Sequence, residues 1–310
     1  MRLTRASVCL LLALVIGGLP TAGCRRRKPR DWDALETYHV DGERALELTG
    51  ELVDLGPRHS NSPGAARTAG FIKERCDAMG YAARLDTWQE ETAHGEWTFH
   101  NVYAELDGRG RDFVVVASHF DTKRLAGVPL FQGANDSGSS TALLLEIMRV
   151  LHKADWDGPP LFFAFFDGEE CLVEYGDNDG LHGSKHLAAA LARRGRLERC
   201  RAMVLLDMIG DRDLQLTLSP DDDPELIRRV QQIAARQGVQ QHVTIYDHTI
   251  LDDHVPFKDR GIPAIDLIDF EFGPNNTYWH TSADRLDKLD ARSFQIVGDL
   301  TIRLLQTLTD

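Results

Sequence analysis

The chain predicts an α/β fold, a mostly parallel, mixed and twisted central sheet with helices on both faces. Three observations carry this: apolar runs of strand length, segments of helical spacing between them, and an acid or histidine directly after successive runs. Residues 42–55 read as a helix with Leu46, Leu48, Leu52 and Leu55 as its apolar positions. Residues 62–79 read as a second, carrying Phe71, Ile72 and Met79, with Gly80 placed to end it as a C-cap. Residues 81–90 and 101–106 read as strands, and 113–117 is apolar throughout, as a strand covered on both faces requires. Further strands are expected at 161–166, 202–206 and 262–268, between helices near 139–151, 224–236 and 291–308. That alternation makes successive strands parallel and puts the crossover helices on the two faces. No internal repeat is visible.

With 310 residues, of which 43% are hydrophobic, the chain can bury one substantial core, so one catalytic domain over 41–310 is the economical reading. A net charge of −13 argues against nucleic acid as a partner, because neutralising phosphates needs a basic face. The start of the chain reads as a targeting segment. Arg2 and Arg5 precede an apolar run at 8–16 that is short for a bilayer span. Leu19-Pro20-Thr21-Ala22-Gly23-Cys24 then resembles a bacterial lipoprotein cleavage box, which makes 1–23 a signal peptide and Cys24 the lipidated first residue. The alternative is an ordinary signal peptide cut near Ala22; both export the protein. A basic tether over 24–40 follows, able to lie on anionic headgroups beside a lipid anchor or to stand solvated. Outside Cys9 and Cys24 the cysteines are Cys76, Cys171 and Cys200, an odd number that suggests buried thiols rather than a disulfide framework.

The chemistry-bearing residues fall where strands should end. His119 follows FVVVAS, Asp167 to Glu170 (DGEE) follow LFFAFF, and Asp207 follows AMVLL. In a parallel sheet, ligands and catalytic groups collect outside the carboxyl ends of the strands. Asp136 enters from the glycine-bounded loop 133–138, and His280 from a late Trp279-His280-Thr281. A lone aspartate after a strand is usually a helix cap and a lone histidine a hydrogen-bonded bystander, but their convergence at one edge describes a zinc site. Of the adjacent Glu169 and Glu170, one can hold metal while the other stays free as a base. Asp121 is placed to orient His119 rather than to bind metal.

These residues, from His119 to Thr281, resemble the zinc-dependent exopeptidase family that contains bacterial aminopeptidases and the animal-type glutaminyl cyclases. The resemblance implies Asp136, Glu170 and His280 as ligands of the zinc common to both branches, and Glu169 as general base. In the aminopeptidases His119 and Asp207 would complete a second metal site. In the cyclases Asp207 would instead join Asp252 in a catalytic hydrogen-bond network. HFDTK at 119–123, DDHVPF at 252–257 and Trp279 before His280 resemble the cyclase versions of these motifs. Tyr175 and Trp279 would line the substrate pocket, Tyr175 replacing a second tryptophan, and Asp266 stands where the animal cyclases carry a histidine. The implied activity is cyclisation of an N-terminal glutamine to pyroglutamate with one zinc. The alternative is two-zinc hydrolysis of N-terminal residues, and a non-catalytic binding module is a third reading. The partner in either enzyme is a peptide with a free N-terminus.

Overall fold

The computed structural model describes residues 38–309 other than 129 and 155. The signal peptide, Cys24 and all but the last three residues of the tether lie outside the described residues. Those three pack: Tyr38 and Val40 are buried, and Asp299 accepts from the Val40 N–H at 2.8 Å and meets His39 at 3.1 Å. No described helix is long and apolar enough to cross a membrane.

Two helices open the fold. In α1 (Gly42–Asp54), Asp41 caps the first turn through the Arg44 N–H, and the buried face is Gly42, Ala45, Thr49 and Leu52. The leucine stripe expected there contributes only Leu52. Small residues win because α1 crosses closely over the C-terminal helix: a Cβ on Gly42 would sit 1.9 Å from the Ala291 carbonyl oxygen. In α2 (Pro63–Ala78), Ser62 caps the Ala65 N–H, Pro63 starts the helix, and Gly80 follows at φ 99°.

The strands β1 (Arg84–Thr92) and β2 (Gly95–Leu106) form an antiparallel hairpin, longer than the two separate strands expected. After it come β3 (Phe113–His119), α3 (Ser140–Lys153), β4 (Leu161–Phe166), α4 (His182–Arg193) and β5 (Cys200–Asp207). A small parallel pair, β6 (Leu216–Leu218) and β7 (Val243–Ile245), flanks α5 (Pro224–Gln237). Last are α6 (Val255–Lys258), β8 (Ala264–Ile268) and α7 (Ala291–Thr307). The main sheet runs β1-β2-β4-β3-β5-β8, with β4, β3, β5 and β8 parallel and the hairpin antiparallel at one edge. Every residue of β3, β4 and β8 is buried, as the continuous apolar runs require.

Alternate residues face opposite layers. Val115, Ala117, Phe162, Phe166, Met203 and Leu205 pack against Leu187 and Leu191 of α4 and against Phe257 of α6. On the other side α3 packs against β3 and β5, with α1 and α7 outside it. Strand order reverses beside β3, since β4 lies on one side of it and β5 on the other, and such a reversal opens a crevice at the carboxyl ends.

Arg58 ties that edge together from beneath. It is buried, and its guanidinium donates to the carbonyls of Phe120 at 2.6 Å, Gln132 at 2.8 Å and Gly133 at 2.6 Å. Burial lowers its pKa to about 10 against the pull of Asp284, Asp136 and Asp121, so it remains a cation. Arg58→Ala would remove the guanidinium donor from the Phe120 and Gln132 carbonyls, while the Gly133 carbonyl keeps the Gly138 N–H. The expected loss is about 3–5 kcal/mol in urea unfolding, with Arg58→Lys recovering only part, because an ammonium lacks the planar fork.

Candidate metal and catalytic site

His119 and Asp207 are the last residues of the neighbouring strands β3 and β5, and the DGEE loop leaves β4 on the other side of β3. That loop is fixed by main-chain hydrogen bonds to one carboxylate. Asp121 accepts from the N–H groups of Glu169 and Glu170, each at 3.2 Å, and lies 3.1 Å from the Ser60 hydroxyl. Its Oδ1 also lies 3.4 Å from His119 Nδ1. Asp167 faces inward, accepting from Ser60 at 2.7 Å and from the His100 N–H at 2.9 Å. Gly168, at φ 79°, makes the sharp turn where a Cβ would strike the Phe99 ring at 2.6 Å.

Asp284 plays the same part for the 134–139 turn, accepting from the Asn135 N–H at 2.7 Å and the Asp136 N–H at 3.1 Å. So held, Asp136 lies between two imidazoles, its Oδ1 3.4 Å from His119 Nε2 and its Oδ2 3.1 Å from His280 Nε2. Burial opposes its charge, but His119 and His280 overcome that and hold the carboxyl far below the usual range. His280 Nε2 also meets Glu170 Oε1 at 3.0 Å. The imidazole rises to about 10, its burial outweighed by Asp136 and Glu170.

Two groups of donor atoms result, each within 4.8 Å of one another: His119, Asp136 and Asp207, and Asp136, Glu170 and His280. Asp136 belongs to both. Mixed carboxylate and imidazole donors at this spacing fit a divalent cation such as zinc, and the cation would replace the protons that now hold the imidazoles between acids.

The neighbouring glutamates differ in surroundings. Glu170 Oε2 pairs with Lys123 Nζ at 3.1 Å, so both its oxygens face positive or metal-binding groups. Glu169 sits among acids. Burial raises its pKa well above normal, with His119 opposing and Glu170, Asp252 and Asp253 adding to the rise. Burial likewise lifts Asp207 to about 6, although its Oδ1 lies 3.2 Å from His119 Nε2. Asp252, in the loop before α6, is pushed well up by burial and by Asp207 and Asp253. Asp266 on β8 is raised in turn by burial and by the charges of Asp252, Asp207 and Asp222.

The cleft over these groups is walled by Tyr175, Ile250, Leu251, Phe270 and Trp279, and about 30 Å³ of it stands open. Trp279 stacks on His280 with ring centroids 4.2 Å apart, and Phe270 packs on Trp279 at 5.2 Å. The structure thus brings together every site residue singled out in the sequence. Cys76, Cys171 and Cys200 are free and buried. Sequence reasoning missed Asp284 and Arg58, whose partners are main-chain groups, and it gave no role to Lys123 although HFDTK contains it. Asp284→Asn keeps one acceptor and loses the other, so divalent-metal affinity should fall about 10- to 100-fold in a competition titration.

Residues 101–305 match the sequence profile described as Peptidase family M28. The glutaminyl-peptide cyclotransferase of Bos taurus is 28% identical over 335 residues, covering 91% of this chain and 90% of that protein. The crystal structure of an Acidobacteriales bacterium glutaminyl cyclase superposes with a TM-score of 0.83 at 32% identity, covering 92% of this chain and 99% of that one. A Zn-dependent exopeptidase from Parabacteroides distasonis shares the fold, with a TM-score of 0.78 at 19% identity over 87% of this chain and 99% of its own.

Proposed function

The chain belongs to peptidase family M28, and from that premise we propose that it is a zinc-dependent glutaminyl-peptide cyclotransferase acting on peptides with an N-terminal glutamine. The observation that carries the choice within the family is Asp252. It is a fully buried carboxyl set electrostatically against both Glu169 and Asp207, which two-metal hydrolysis gives no step to perform. Relatives similar over nine tenths of the chain bear the cyclotransferase name, which supports the same reading.

Asp136, Glu170 and His280 would hold the zinc. Bound there, it would supply Lewis-acid polarisation of the glutamine side-chain amide. Glu169 takes a proton from the substrate's α-amine as its nitrogen attacks the amide carbon. The N–C bond of the ring forms, the bond to the amide nitrogen breaks, and Glu169 returns the proton to the departing ammonia. A carboxyl raised by its buried, acidic surroundings is suited to both halves of that transfer. Asp207 and Asp252 hold Glu169 and the leaving nitrogen through hydrogen bonds, and Trp279 gives the glutamine stem an apolar wall. Cys24 as a lipid-bearing residue, with export and membrane attachment, belongs to the same proposal.

The alternative is a two-zinc aminopeptidase with His119 and Asp207 completing the second site, favoured by the second donor group around Asp136. Incubation of Gln-Phe-Ala with the zinc-loaded protein, followed by mass spectrometry, should show loss of ammonia, while Leu-Phe-Ala stays intact. Glu169→Gln should lower the rate roughly a hundredfold or more. Free leucine from the control peptide would overturn the cyclotransferase reading. Metal analysis gives an independent check: about one zinc per chain should accompany pyroglutamate formation, and two would accompany leucine release.

A further inference from the structure

Tyr175 lines the cleft, but its hydroxyl is not idle. It donates to Glu169 Oε1 at 2.9 Å. Glu169 Oε2 lies 4.0 Å from His119 Nδ1, so the two oxygens of the carboxylate have different neighbours. Burial, followed by the nearby charges of Glu169 and Glu170, raises the phenol well above its ordinary value and keeps it protonated as a donor.

The seat of the ring is built from several elements. Gly180, at φ 82°, leaves room for it: a Cβ there would lie 2.5 Å from a ring carbon. Lys123 Nζ, already paired with Glu170, stands 5.6 Å above the ring centroid. Asp179 closes the loop by accepting from the N–H groups of Leu172 at 2.7 Å and Val173 at 3.0 Å, and it meets His94 of the hairpin turn at 3.0 Å. Lys185 of α4 donates to the carbonyls of Gly176 at 2.6 Å and Gly180 at 2.9 Å. An apolar wall needs bulk alone; this arrangement also aims one oxygen.

We propose that Tyr175 is a positioning residue for Glu169, its hydroxyl holding Oε1 so that Oε2 is the oxygen presented to the substrate's amine. The assignment rests on the cyclotransferase reading and concerns which atom of the base works. A side chain that carried only the pocket wall would be replaced without loss by phenylalanine or tryptophan.

The test is steady-state kinetics on Gln-Phe-Ala for the full chain, Tyr175→Phe and Tyr175→Trp. Losing a hydrogen bond to a charged group should lower kcat about tenfold or more in both variants, with KM within about twofold. A second readout needs no turnover. The tyrosine ultraviolet difference spectrum between the wild-type protein and Glu169→Gln should show a perturbed phenol, and the same difference taken in the Tyr175→Phe background should not. An unchanged or raised kcat in Tyr175→Phe, or a spectral difference that persists in that background, overturns the proposal. Failure of the wild-type protein to form pyroglutamate would instead sink the cyclotransferase reading, and the spectra would still decide whether the phenol holds Glu169.

Discussion

The structure depends on how it tolerates a concentration of carboxyl groups in its interior. Asp121, Asp136, Asp167, Glu169, Glu170, Asp207, Asp252 and Asp266 are all buried at or beside one sheet edge, where an isolated carboxylate would be prohibitively costly. Two kinds of compensation divide the work. Asp121, Asp167 and Asp284 accept main-chain N–H groups and so fix loops. Asp136 and Glu170 face His119, His280 and Lys123. Burial nonetheless raises Asp167 well above the ordinary value and Asp284 to about 7, as it raises Glu169, Asp207, Asp252 and Asp266.

That division explains what was legible in the sequence. The buried parallel strands and the acids after them could be read directly, because a fully covered strand must be apolar and its end must change character abruptly. His119, Asp207 and the DGEE loop therefore sit where the pattern puts them. The α1 face was misread because a close helix crossing selects Gly42, Ala45 and Thr49, which carry little hydrophobic signal. The β1–β2 hairpin runs longer than expected, since as an edge element it is half-exposed and its charged residues hide the alternation. Asp284 and Arg58 leave no pattern, because the groups they bind are backbone atoms common to every residue.

Glu169 and Glu170 show how adjacent identical residues acquire different chemistry. Both N–H groups are pinned to Asp121, so the backbone leaves neither side chain free to exchange places with the other. Glu170 points toward His280 and Lys123, an imidazole and an ammonium. Glu169 points toward Asp252 and Tyr175, surroundings that let a proton come and go. No rule about the pair in sequence predicts which does which; the asymmetry comes entirely from the neighbours that other loops supply.

The same logic bears on the branch point within the family. His119 Nε2 faces both Asp136 and Asp207, as His280 Nε2 faces both Asp136 and Glu170. A hydrogen-bonded His119–Asp207 pair gives Asp207 a neutralising partner, and Asp207 can then serve as a fixed dipole beside Glu169 without any ion of its own. On the proposed reading, Asp252 becomes useful only in that case: a neutral carboxyl next to Glu169 donates to the base or to the leaving nitrogen. Beside a doubly charged centre the same carboxyl would be drawn toward ionisation. Metal number and the protonation of Asp252 are therefore one question.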